Sequence, residues 1–241
     1  YKITGKREVY GFYVLPEKKL IECGYVLLDD MKRDYAAMEK KEKEAKVVLV
    51  SPSWQKDNIV DTCLEDILKS LRGHGYRIIV RPHPQHVRHE PEKMEALKVK
   101  FADADDIEIQ TDFSSNESVF SADAMITDWS GIALEYAYTT YNPVLFINTP
   151  MKVMNPEYKK LGIEPLNIWI REKIGRSVAP EEAGRSLEFI DEMFEHKDTY
   201  SDAIRKICEE YTYHIGESAR IGGDYILRSL QEKIRSRQEK A

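Results

Sequence analysis

The stretch Ile126–Ala137, ITDWSGIALEYA, decides how this chain is read. The apolar run Ala124 to Ile126 stops at Thr127 and Asp128, and by Gly131 a helical pattern has begun that runs to Tyr138. A buried strand therefore turns directly into a helix. The same alternation lies on either side. Upstream are an apolar run at Val47 to Val50, a helix pattern from Val60 to Arg72, a run at Ile78 to Val80, and a helix around Pro91 to Phe101. Ile107 to Ile109 and a short helix near Glu117 to Ala122 follow, and Val144 to Ile147 comes after the stretch itself. Short apolar strands separated by helices mark a parallel sheet covered on both faces, so the expected fold class is α/β, a doubly wound parallel sheet. It should span residues 46–195. Before it, Asp29 to Lys46 is rich in Lys, Glu, Met and Ala with opposite charges at helical spacing, which reads as a connector helix. After it, helical patterns run from Glu181 to Glu195, from Tyr200 to Tyr213, and from Gly223 into the charged tail.

A chain of 241 residues leaves room for one large domain or one and a half, at about 150 per domain. With 42% hydrophobic and 32% charged residues, the composition is globular and excludes disordered and collagen-like classes. No uncharged apolar run approaches the roughly 18 residues of a membrane span, and the opening YKITGKREVY lacks the apolar core of a signal peptide. The chain reads as soluble. A net charge of -6 argues against nucleic acid as a partner, so any anionic ligand must be held locally. The three cysteines, Cys23, Cys63 and Cys208, are far apart and without metal-type spacing, which fits a reducing cytoplasm.

In doubly wound sheets, ligands sit beyond the carboxyl ends of the strands, where loops converge and helix N-termini point inward. Function is therefore sought in four loops: Ser51 to Gln55, Arg81 to Pro84, Gln110 to Ser115, and Thr127 to Gly131. In the last, Ser130 and Gly131 are small enough for a ligand to approach the backbone. The unbonded N–H groups of the first helical turn, reinforced by the helix dipole, suit a phosphate there. Glu135 falls one turn further along the same face, where a carboxylate could accept hydrogen bonds from ribose hydroxyls. The alternative is that Asp128 and Ser130 cap the helix and Glu135 is solvated.

The loop Arg81-Pro82-His83-Pro84 closes another strand, and its two prolines should keep His83 off the helical path. Protonated, His83 could donate to a diphosphate and offset the charge that develops as the transferred group departs, with Arg81 beside it. The alternative is a turn whose histidine packs structurally. Ser53 could donate a hydrogen bond from the first loop, where Trp54 offers a stacking face or covers the sheet edge. His83, His86 and His89 are spaced by three, but such positions drift round a helix and no carboxylate or cysteine completes a zinc set. No metal is expected, and His86, Arg88 and His89 are read as a solvated basic rim. Asp112, Ser114 and Ser115 read as turn and cap residues, and Cys63 and Cys208 as packing residues. The patterns GxGxxG, GxxxxGKS/T and GxSxG are absent, so nicotinamide, P-loop and hydrolase readings lose their main support.

Taken in order, VVLVSPSW (47–54), IIVRPHP (78–84) and ITDWSGIALEYA (126–137) resemble the CDP-glycerol glycerophosphotransferase family of teichoic acid polymerases and its capsule-synthesis relatives. The segment IECGYVLLD (21–29) is similar to that family's Gly-Tyr-Pro-Arg-x-Asp segment. The resemblance extends from about Gly24 to about Leu230. It implies a GT-B glycosyltransferase-like fold of two Rossmann-like halves, of which this chain looks like the C-terminal, donor-binding one. Residues 1–45 would then be a residual N-terminal segment and connector, 46–195 the Rossmann-like nucleotide-binding domain, and 196–241 helices packing back toward an N-terminal half. By position, the resemblance gives His83 contact with the donor diphosphate and a catalytic part, Ser130 and its neighbouring amides a phosphate, and Glu135 or Asp128 the nucleoside side. Ser53, Arg81 and Gly131 complete the implied donor-binding set. Gln55 stands where the family has Arg, Trp129 where it has Tyr, and Gly131 where it has a second Ser, which removes one hydroxyl donor to phosphate.

The family's His-Gly-Thr type motif, which supplies the acceptor-side base, has no counterpart in this sequence. The chain is therefore expected to be a piece of a longer transferase that binds nucleotide without turning over alone. The resemblance implies CDP-glycerol or a sugar nucleotide as donor, a lipid-linked polymer as acceptor, no separate cofactor, and a cytoplasmic site at the inner face of the membrane. The rivals are a UDP-sugar epimerase-like or sialyl-type transferase domain and a non-catalytic nucleotide-binding scaffold.

Overall fold

The computed structural model describes residues 19–39, 42–153, 158–162 and 164–239. The β-prone run Val9 to Leu15 lies outside the described residues. The chain falls into two compact units: Met31–Cys208, and a smaller one joining the residues up to Asp30 with those from Glu209.

After α1 (Val26–Ala37), strand and helix alternate. β1 (Lys46–Val50) leads through α2 (Ile59–Thr62) and α3 (Leu64–Leu71) to β2 (Tyr76–Val80). α4 (Pro84–His89) and α5 (Pro91–Lys100) carry the chain to β3 (Ile107–Ile109), and α6 (Glu117–Ser121) to β4 (Ala124–Thr127). Then come α7 (Ile132–Thr140), β5 (Val144–Ile147), α8 (Leu166–Trp169), α9 (Arg171–Ile174) and β6 (Gly175–Val178). The chain continues through α10 (Ser186–Glu195), α11 (Lys197–Tyr211) and α12 (Ser218–Gln238).

The six strands form one sheet in the order β3-β2-β1-β4-β5-β6, with every neighbouring pair parallel. This is the doubly wound Rossmann order, which reverses between β1 and β4 and opens a crevice at that switch point. The expected α/β class is the observed one, with helices following the sheet at its C-terminal end. β4 and β5 are buried along their whole length, as strands covered on both faces must be. On one face Val48, Val50, Ile78, Val80, Ile126 and Leu145 pack with Ile67, Leu68 and Leu71 of α3 and Phe189, Ile190 and Met193 of α10. Each such side chain contributes about 1.5–3 kcal/mol by leaving water.

Two local readings change. The helix expected across Val60 to Arg72 breaks at Cys63, whose φ of −145° is not helical. His83 stays off the helical path as expected, with φ −59° and ψ 142°, and Pro84 and Pro91 each occupy the first turn of a helix, where proline's missing N–H costs nothing. β6 was not anticipated, because GRSV offers one large apolar residue and no alternation. Gly175 is required there: a Cβ would lie 1.7 Å from the Val144 carbonyl oxygen.

In the smaller unit, the segment IECGYVLLD builds the turn ahead of α12. Gly24 has φ +92°, and a Cβ on it would lie 2.2 Å from Ser218 Oγ. The Asp29 carboxylate accepts from the amides of Gly216 (2.7 Å) and Ser218 (2.9 Å), satisfying donors at the helix start. Ile226, Leu227, Leu230 and Ile234 of α12 are exposed. No helix among the described residues is long and apolar enough to cross a membrane.

Candidate functional site

The strand ladders continue past the carboxyl ends and pin the loops beyond them. Ser51 N donates to Ile126 O and Arg81 N to Val50 O, each at 2.8 Å. Thr127 Oγ1 donates to Ser51 O at 2.6 Å. Asp128 follows, 1% exposed. Its carboxylate accepts from Ser53 N (2.8 Å), Ile59 N (3.3 Å) and Thr149 Oγ1 (3.4 Å). One side chain thus joins the loops after β1, β4 and β5 to the start of α2.

Asp128 is therefore turned away from the helix that it precedes. α7 has Gly131 at its N-cap and no side-chain cap bond, so neither Asp128 nor Ser130 closes its first turn. Such a start presents backbone N–H groups to whatever lies in front of it. In front is a hollow of about 80 Å³ bordered by Trp129, Ser130, Gly131, Phe146, Asn167 and Arg171. A Cβ built on Gly131 would meet nothing within 4 Å. The Trp129 indole N–H donates to Thr149 O at 2.8 Å, fixing the ring at the edge of this space.

Arg171, absent from the sequence reading, forms the hollow's inner wall and is 4% exposed. Its guanidinium donates to Asp128 O (2.7 Å), Asn148 Oδ1 (2.8 Å), and, at 3.4 Å, Ile147 O and Ser177 Oγ. Its two neighbours in ring stacking are Trp129 at 4.1 Å and Phe146 at 4.4 Å. Burial brings its pKa down to about 10, against the pull of Asp128 and Glu172. Its sequence context, IWIREKI (168–174), makes it the first of three consecutive charged residues and carried no signal of burial.

On the β2 side, His83 is the N-cap of α4, and its Nδ1 accepts from Gln85 N at 3.2 Å. The ring proton therefore sits on Nε2. Burial, then Lys152 and His86, hold its pKa below the usual imidazole range. With Nδ1 taken up as an acceptor, Nε2 is the ring nitrogen left to donate. Lys152 itself donates to Trp54 O at 3.0 Å.

His86 is not a solvated rim residue; it is 0% exposed. Its Nδ1 faces Glu90 at 2.9 Å and its Nε2 faces Ser53 O at 3.2 Å. Trp54 meets His86 edge-on at 4.8 Å and stacks on His89 at 5.8 Å. Ser53 is buried, with its backbone bonded on both sides and its hydroxyl without a partner among the described residues. Arg81 points elsewhere: its Nη1 donates to Gln110 Oε1 (2.9 Å) and Ser118 Oγ (3.1 Å), on the β3 side. Glu135 is partly buried in the first turn of α7 and does not border the hollow. Among the described residues no group of three His, Cys, Asp or Glu side chains could hold a metal ion. Ser53, Asp128, Ser130 and Gly131 thus meet at the switch point, His83 adjoins them through Ser53 and His86, and Arg81 stands apart.

The fold is shared with known proteins at low identity. A variant of the wall teichoic acid polymerase TagF soaked with CDPG is 17% identical, covering 89% of this chain and 52% of that one, with a TM-score of 0.51. Another TagF variant is 16% identical, covers 91% and 54%, and has a TM-score of 0.51. A glycosyltransferase from Rickettsia africae is 13% identical, covers 82% and 50%, and has a TM-score of 0.52. The chain spans about half the length of each of these structures. No curated protein sequence matches it. The family model for CDP-Glycerol:Poly(glycerophosphate) glycerophosphotransferase matches residues 7–157, which include all three strand-to-helix loops that meet or adjoin the switch point. With that match over more than half its length, the chain belongs to the CDP-glycerol:poly(glycerophosphate) glycerophosphotransferase family.

Proposed function

We propose that this chain is the donor-nucleotide-binding domain of a glycerophosphotransferase or related glycosyltransferase. It would hold a CDP- or UDP-activated donor whose glycerol phosphate or sugar passes to a cell-wall or capsule polymer acceptor. One observation carries the reading: at the switch point of a Rossmann-ordered sheet, α7 opens at Gly131 with no side-chain cap and faces an open hollow. A donor phosphate supplies the missing cap by accepting from the first-turn amides and the Ser130 hydroxyl. His83 donates its Nε2 proton to the diphosphate from the β2 side. Glu135 takes the ribose hydroxyls beyond the hollow, and Asp128 serves by holding Ser53.

In the proposed transfer, an acceptor hydroxyl attacks the activated phosphorus or sugar carbon. The bond to the nucleotide phosphate breaks, and the electron pair leaves with that phosphate. The α7 start and His83 stabilise the negative charge on it. The base that takes the acceptor's proton belongs to another half of the transferase, working on a lipid-linked acceptor at the inner face of the membrane.

Calorimetric titration with CDP and UDP tests the reading. Binding should be measurable and should fall about tenfold in His83→Ala, the scale of one lost hydrogen bond to a charged group. Equal binding by the variant removes His83 from the site, and a preference for UDP favours a sugar-nucleotide enzyme. A second reading, a non-catalytic nucleotide-binding scaffold, is supported by Gln55. Its amide is spent on Thr149 Oγ1 (3.3 Å) and Pro150 O (3.0 Å) where the family's loop carries an arginine. A longer protein that binds CDP but transfers nothing would favour it.

A further inference from the structure

Arg171 is a buried cation with no ion pair among the described residues: no carboxylate oxygen there lies within 4 Å of its guanidinium, and the charges of Asp128 and Glu172 act on it only from further away, although the side chain is almost fully enclosed. Asp128 meets it only through its backbone carbonyl, since its carboxylate is taken up by the amides of Ser53 and Ile59. Carbonyl oxygens and aromatic faces orient a guanidinium and lower the cost of burying it, but they leave its net charge in place. Burial accordingly pulls its pKa down to about 10, and the group is still charged at neutral pH.

The position of that charge matters. Arg171 borders the same hollow as Ser130 and Gly131, in front of the α7 start. The N-terminal end of α7 is itself a source of positive potential. Two positive sources of independent origin therefore face one small space, and the Asp128 carboxylate at its border is directed to the amides of Ser53 and Ile59 rather than to either of them. Arg171 also shapes the space. It holds the Asp128 carbonyl, lies against the Trp129 ring, and reaches the ends of β5 and β6 through Asn148 and Ser177. Only a planar fork with two stacking faces makes these contacts together.

Resting on the donor-site reading above, we propose that Arg171 is the positioning residue and buried counter-charge for the donor's phosphates. It sets the Asp128–Gly131 turn, and the diphosphate bound at Ser130 balances its charge. The part of the donor that Arg171 serves is thus the anionic part, not the nucleoside.

The test compares wild-type chain with Arg171→Met and Arg171→Lys, each titrated with CDP and with cytidine after circular dichroism has established that it is folded. The Met variant should bind CDP at least about tenfold more weakly while cytidine stays within about twofold, and the Lys variant, which keeps the charge but loses the fork, should fall between it and wild type for CDP. Equal losses for CDP and cytidine, or a Lys variant as weak as the Met variant, overturn the proposal. If the variants do not fold, the wild-type protein decides by NMR. The Arg171 Nε–H resonance should move on addition of CDP and not of cytidine; a resonance that stays still while the Ser130 amide responds overturns the proposal. Wild-type protein that binds CDP without any response at Ser130 fails the donor-site reading itself, and the proposal with it, and that outcome is distinct from the other two.

Discussion

The Ser53 amide donates to the Asp128 carboxylate at 2.8 Å across the switch point of the sheet, joining loops 75 residues apart in the chain. Because the Ser53 carbonyl also faces His86, the loop after β1 is tied on one side to the α7 start and on the other to the helix that His83 caps. This single residue is how a histidine on the β2 loop and a serine on the β4 loop come to share one edge.

Removing the Asp128 carboxylate should leave two buried amides unsatisfied. Asp128→Ala is expected to lose about 2–6 kcal/mol of stability, since each of the two stranded donors costs about 1–3 kcal/mol. Asp128→Asn keeps one acceptor and should lose less. Urea unfolding monitored by circular dichroism measures both, and an Ala variant within experimental error of wild type would refute the bridging role.

Gly131 offers the opposite case. Its backbone is helical and a Cβ meets nothing, so Gly131→Ala should change stability by no more than about 0.5 kcal/mol. The family carries Ser, with its own Cβ, at this position, so CDP binding should also stay within about twofold. Thermal melts and titration calorimetry on the same sample check both.

His83 should make stability depend on pH. Its folded pKa lies below the unfolded value, so the unfolded chain takes up the proton first as pH falls. The residue therefore costs nothing above the ordinary imidazole range and destabilises the protein as pH drops from about 6.5 toward the folded value. His83→Gln should flatten that slope, apart from a pH-independent loss of the α4 cap. Melting temperatures across this range test it, and identical slopes count against a neutral, partly buried ring.

Gly175→Ala should be the most damaging of these changes. The added Cβ would sit 1.7 Å from the Val144 carbonyl oxygen, at the start of the β5–β6 pairing. A loss of more than about 3 kcal/mol, or failure to fold, is expected from backbone displaced at a buried edge. A soluble variant with wild-type melting behaviour would contradict the strand register.

Much of this was legible in the order of residues. Val47–Val50, Ala124–Ile126 and Val144–Ile147 announce buried parallel strands because their hydrophobicity is uninterrupted over a strand's length. Ser130 and Gly131 announce a tight strand-to-helix turn because both are small. The misreadings have one source. His86 was placed in solvent because nothing adjacent in sequence predicts that Ser53 and Glu90 will enclose it. Arg81 looked like a phosphate ligand from its neighbour His83, and its guanidinium instead meets Gln110 and Ser118.

The sequence by itself determined the α/β alternation, the parallel sheet and the loops that carry chemistry, because these follow from short-range periodicity and from the backbone freedom of single residues. Only the tertiary structure decided where charged side chains point: Asp128 inward to two amides, Arg171 beneath the α7 start, Arg81 toward β3. Those directions are set by hydrogen-bond partners tens of residues away, and by the rule that a buried charge takes the orientation in which its donors or acceptors are met.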